Sequence, residues 1–141
     1  MINKVQGIQQ FVGEIQSAQG AVRLQTLTAP AAANATSLLN ATSVSALGNT
    51  STFVGQPDFP RNVQVVLSGA GTGNVVVTGT NIRGEQITET LALNGTTPVL
   101  GNKAFATITN VSWPAVGAVT MNLGTGVKMG LDRKMPVAAV I

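Results

Sequence analysis

The chain has no cysteine, no histidine and no tyrosine, and acidic side chains number only 5 in 141 residues. Without cysteine there is no disulfide, no thiolate metal site and no cysteine nucleophile. Without histidine the commonest general base and the commonest metal ligand are both missing. Abundant Ser and Thr have no base or orienting group beside them, so nucleophilic catalysis has no partner residue to draw on. These gaps point away from an enzyme, and no cofactor is expected. Aromatics make up 4% of the chain and no basic run exceeds Arg133-Lys134, which argues against a nucleic-acid stacking face. No apolar run reaches the roughly 18 residues of a membrane span. The segment Met1-Ile2-Asn3-Lys4-Val5 has no apolar stretch of the secretory kind, so assembly in the cytoplasm is expected.

Charge is the other scarcity. Charged residues are 9% of the chain, against about 25% in an average globular protein. The net charge is +3, and the basic residues read as scattered surface charges. Hydrophobic residues reach 44%, so the chain is no disordered polymer. A surface of Thr, Ser, Asn, Gln and Gly suits a protein whose faces are covered by neighbours. The composition therefore points to a structural building block.

The chain divides near residue 57. Residues 1–56 read as an arm, and residues 57–141 as a β domain. Val5, Ile8, Phe11, Val12 and Ile15 recur every three to four residues, the mark of one face of a short helix over 2–18. That stripe suits an arm docked on a partner, or a helix packed on its own domain; Gly7 and Gly13 weaken it. Residues 21–29 alternate like a strand. Residues 30–52 read as a long polar loop or extended arm, which makes best sense lying across another subunit. Leu38 and Leu39 are its apolar contact candidates.

From residue 62 the strand signals are regular. Val63, Val65 and Leu67 alternate, Gly69 to Gly73 turns the chain, and Val75 to Gly79 returns as a hairpin. Asn81 to Gly84 is the next turn. Ile87, Leu91 and Leu93 share one face of the following strand, with Thr88 and Thr90 on the other. Asn94-Gly95 is the strongest two-residue hairpin signal. Strands follow at 96–100, 105–113, 116–123 and 137–141. No helical pattern interrupts them. The fold class is all-β, a small antiparallel sandwich or barrel carrying an extended N-terminal arm.

Each remaining motif has a plain reading. Gly69-Ala70-Gly71-Thr72-Gly73 lacks the following helix and the Gly-Lys-Ser/Thr of a phosphate loop. Glu85 and Glu89, four apart on a strand, would stand roughly 13 Å apart, too far for a catalytic carboxylate pair. Lys103, Lys128 and Glu89 are candidates for a Lys–Asn isopeptide cross-link, though solvated charges are the simpler reading. Trp113 reads as core. The stretch Pro136 to Ile141 has no charged side chain; Val137, Val140 and Ile141 would add a strand to the chain's own sheet or to a neighbour's edge.

Several segments between Pro60 and Pro136 carry a resemblance. They are Pro60-Arg61-Asn62-Val63, Gly79 through Thr90, Leu93 through Val99, Lys103-Ala104-Phe105, and Gly124 through Leu131. Over somewhat more than half its length the chain resembles small β-rich virion proteins of tailed bacteriophages, of the capsid decoration (cement) type. The resemblance implies a trimer or other homo-oligomer on the outside of the head, with the major capsid protein as partner. It also implies a virion location, and a role in stabilising the shell. The alternatives are a tail-tube or head–tail joining protein, and a carbohydrate-binding or adhesive β-module.

Overall fold

The computed structural model describes residues 29–131. The helix expected over 2–18, most of the strand at 21–29 and the strand at 137–141 lie outside them. So do Val5, Ile8, Phe11, Val12, Ile15, Val137, Val140 and Ile141. The described chain forms β1 (Asn34–Ser43), β2 (Gly48–Thr50), β3 (Arg61–Leu67), β4 (Thr72–Thr80), β5 (Gln86–Asn94), β6 (Val99–Leu100), β7 (Thr107–Trp113) and β8 (Thr120–Met129). Two four-stranded antiparallel sheets, ordered β1-β8-β3-β6 and β2-β7-β4-β5, make a small β-sandwich. No helix occurs among the described residues.

Alternation builds the core between the sheets. Val63, Val65 and Leu67 point in from β3, Val75 and Val77 from β4, and Leu91 and Leu93 from β5, all buried. Phe105 and Met121, both fully buried, fill the space between them. On β7 the buried residues are Ile108, Val111 and Trp113, and the first two stand three apart rather than two. A register shift against β4 explains this: Thr78 faces Asn110 while Gly79 faces Ile108, so Thr109 is the extra residue of a bulge. Trp113 is buried as the sequence suggests, and its indole packs closely against Gly48, leaving no room for a side chain there.

Three expectations are corrected. First, residues 34–50 are no arm across another subunit. β1 pairs with β8 and β2 with β7, so both belong to the sandwich, and the boundary at residue 57 does not hold. Leu38 and Leu39, expected at an interface, are buried in the chain's own core. Two adjacent buried leucines break the alternation because β1 is irregular: its register shifts on both sides of Leu39, and Ala41 has φ of 50°.

Second, Gly69–Gly73 does not turn a hairpin. β3 and β4 lie in different sheets, so this glycine run carries the chain across the sandwich. Third, Asn94-Gly95 does the same between β5 and β6. Gly95, at φ of 54°, accepts from Leu67 N at 3.1 Å and donates to Gly71 O at 2.9 Å, which ties the two crossings together. Among the described strands only β4–β5 is a hairpin between sequential strands. Its turn matches the sequence: Asn81 Oδ1 accepts from Arg83 N at 2.8 Å and Glu85 N at 3.0 Å, and Gly84 takes φ of 81°.

Candidate functional site

The segment Asp58-Phe59-Pro60-Arg61 runs into β3 and grips the chain at both ends of the described region. Arg61, expected as a surface charge, is buried; its side chain is 4% exposed. Its guanidinium donates from Nη1 to Asp58 Oδ1 at 3.1 Å and from Nη2 to Ala31 O at 2.8 Å. Asp58 Oδ2 accepts from Ala31 N at 2.8 Å. The ion pair thus holds both backbone groups of Ala31, just before β1. On the other side of the same segment, Pro60 O accepts from Gly130 N at 2.7 Å, and Arg61 stands opposite Met129. The points where the chain enters and leaves the described sandwich are therefore neighbours.

The bond from Ala31 N–H, together with the Arg61 charge, holds the Asp58 carboxyl below its usual pKa, against a weaker effect of burial. A cavity of about 140 Å³ opens beside this corner, lined by Ala31, Asn34, Ser37, Gln56, Asp58 and Arg61 among others. Arg61 Nε is buried without a hydrogen-bond partner. The next residue, Asn62, is also fully buried. It donates to Gly101 O at 2.8 Å and accepts from Lys128 N at 2.8 Å, fastening the 101–103 loop and the end of β8 to β3.

That loop gathers the residues considered for an isopeptide. Lys128 Nζ lies 2.5 Å from Asn102 Oδ1. Glu89 Oε1 accepts from Asn102 N at 2.7 Å and Lys103 N at 3.2 Å, and Lys103 Nζ donates to Thr88 O at 2.7 Å. The chemistry would need a neutral amine and a dry amide. Asn102, Lys103 and Lys128 are all exposed, so the contact has the features of a solvated hydrogen bond. Glu85 is not brought to Glu89: it sits in the β4–β5 turn, where its Oε2 accepts from Asn81 Nδ2 at 2.7 Å.

The charges of the described chain are unevenly placed. Asp58, Arg61, Arg83, Glu85, Glu89, Lys103 and Lys128 lie at the Arg61 corner, in the β4–β5 turn, or along the edge where Glu89 meets the 101–103 loop. The connections at the other end (residues 44–47, 68–71, 95–98 and 114–119) hold none. They pack on one another: a Cβ on Gly71 would meet the Val116 side chain, and one on Gly73 would meet Pro114. Leu47 projects from them, 80% exposed.

Sequence reading missed the Asp58–Arg61 clamp and the structural role of Asn62. The only available signal was an acid three residues before an arginine at a strand start, which is too common to single out. Among the described residues no cluster of three or more His, Cys, Asp and Glu could hold a metal ion. No protein-family model, no curated protein and no solved structure matches this chain.

Proposed function

We propose that the chain is a structural subunit of a bacteriophage particle, a capsid decoration protein that binds the outside of the head and stabilises the major capsid protein lattice. The observation that carries the reading is the Asp58–Arg61 corner. A half-buried ion pair and Pro60 hold the chain just inside both ends of the described sandwich, so the chain enters and leaves it at neighbouring points. Two segments anchored side by side suit attachment to a surface larger than the domain itself. The sparse charge supports the same reading, because neutral polar faces lose less on desolvation than charged ones. Many copies on one shell would multiply a modest contact by avidity. The segments between Pro60 and Pro136 that resemble decoration proteins add to it.

A sugar-binding module is less well supported. The described aromatics Phe53, Phe59, Phe105 and Trp113 are buried or half-buried, leaving no exposed ring for stacking among them. The test mixes purified full-length protein with expanded heads that lack it. Saturable binding at micromolar concentration, seen as a surface lattice by electron microscopy, is expected. No binding would overturn the reading, and rings or tubes formed by the protein alone would favour the tail assignment.

A further inference from the structure

We propose that residues 53–58 form a strap that guards two strand edges against pairing with another chain, and that the Gln56 side chain stands in for the missing strand. The strap lies on the side of the sandwich where β1 and β2 are the outermost strands. β2 is three residues long and covers β7 only from Val111 to Trp113. Beyond it β7 continues to Thr107, and Ile108 would offer an open N–H and C=O there. The Gln56 amide takes both. Its Oε1 accepts from Ile108 N at 2.8 Å, and its Nε2 donates to Ile108 O at 3.0 Å. A residue of a paired antiparallel strand makes the same two bonds. Gln56 is exposed, so core packing does not account for its placement.

The same segment closes the neighbouring edge. Val54 N donates to Leu38 O on β1 at 2.9 Å. Gly55, between the two, lies so close to β1 that a Cβ there would come within 2.9 Å of Ser37 O. Two residues span about 7 Å at most. Val54 and Gln56 therefore reach β1 in one sheet and β7 in the other from one short run of chain. Phe53 packs on the core at one end of the strap, and Asp58 holds Ala31 N at the other.

Charge explains why such a device is needed. Open edges are usually blunted with charged side chains, above all Lys. β5, the outermost strand on the opposite side, follows that rule: Lys103 Nζ donates to Thr88 O at 2.7 Å. Residues 29–57, which include β1 and β2, contain no charged side chain. An edge without charge has to be closed by occupying its hydrogen-bonding groups. One Gln amide carries a donor and an acceptor side by side, where an aliphatic side chain would leave the Ile108 peptide open. This guarding role is independent of which surface the subunit binds.

Hydrogen exchange read by NMR and thioflavin T binding test it together. In the wild type the Ile108 amide should be protected like that of Val111, which faces Thr50 of β2. Gln56→Val should speed exchange at Ile108 about tenfold or more relative to Val65 in β3. Held at about 0.2 mM, it should bind thioflavin T over days, as added strands do. Gln56→Lys loses the amide but returns a charge to the edge; it should exchange as fast and bind no dye. Gly84→Ala, in the β4–β5 turn, controls for lost stability and should match the wild type in dye binding. An unprotected Ile108 amide in the wild type overturns the proposal, even where Gln56→Val does not fold. So does a folded Gln56→Val that binds no dye, or dye binding shared equally with Gly84→Ala.

Discussion

Replacing Asp58 by Asn is expected to cost about 2 kcal/mol of folding stability at neutral pH, and the cost should vanish in acid. The magnitude follows from two hydrogen bonds. At Arg61 a charge-assisted bond becomes a neutral one, a loss of about 1 kcal/mol. At Ala31 the second carboxylate oxygen is replaced by an amide nitrogen facing an N–H, and one bond is lost, about 1 kcal/mol more. Asp58 is a third exposed, so solvent keeps the penalty below the 3–5 kcal/mol typical of breaking a fully buried pair. At about 5 °C per kcal/mol for a domain of this size, Tm should fall by about 10 °C.

The pH dependence gives the sharper test. Asp58 has a lower pKa folded than unfolded, so the folded state holds fewer protons in that range. Its contribution is complete above the unfolded value near 4, and is lost as pH falls through the folded value. Urea unfolding followed by circular dichroism, at steps from neutral pH to about pH 2, should show the wild type and Asp58→Asn converging below about pH 4. Equal stability at neutral pH, or a gap that persists in strong acid, would refute the reasoning. Arg61→Met completes a double-mutant cycle, in which a coupling of about 1 kcal/mol or more is expected.

Other positions make independent predictions. Gly48→Ala puts a methyl within 2.9 Å of the Trp113 indole, and should cost about 1–3 kcal/mol and shift the emission of the single tryptophan to the red. Gly84→Ala meets no atom within 4 Å but keeps φ at 81°, so its cost should be about 1 kcal/mol in thermal unfolding. Gly124→Ala drives a methyl into the backbone of Asn34 and Ala35, and should cost well above 3 kcal/mol or abolish folding, since neither strand can yield alone. The intact mass should equal that of the sequence; a deficit of one ammonia, lost again in Lys128→Arg, would show that Lys128 and Asn102 do react.

β3, β4 and β5 were legible because their inward residues are β-branched or leucine in alternation, as in Val63, Val65 and Leu67, whereas the strand expected at 116–123 runs Thr120–Met129, its Gly124 and Gly126 lying within the strand rather than closing it. β1 was not, because its bulges bury Leu38 and Leu39 side by side and leave Asn, Ala and Thr elsewhere. A sequence that pairs irregularly has no period to read. The glycine turns were legible as turns, yet a turn signal says only that the chain reverses. Whether the next strand lies beside the last one or across the core depends on which apolar face needs covering. Gly69–Gly73 and Asn94-Gly95 both carry the chain across. Arg61 was illegible for a similar reason: only the fold brings Ala31 and Asp58 to it and makes a buried guanidinium tolerable.

The topology explains why that clamp sits where it does. Every connection among the described strands except β4–β5 passes from one sheet to the other, and the first described strand pairs with the last described one. The β1-β8-β3-β6 sheet therefore lacks two of its strands until β8 has been placed between β1 and β3. Such non-local pairing delays stabilisation until late in folding. The start of β1 and the end of β8 are also the ends of paired strands, where a sheet frays first. At that end Arg61 and Asp58 hold Ala31, Pro60 holds Gly130, and Asn62 holds the Lys128 backbone. Three consecutive residues at the start of the inner strand β3, Pro60 just before it and Arg61 and Asn62 within it, together with Asp58, close both open ends. A load applied through residues 1–28 or 132–141 would thus reach β3, bonded on both sides, before it could peel β1 or β8 away.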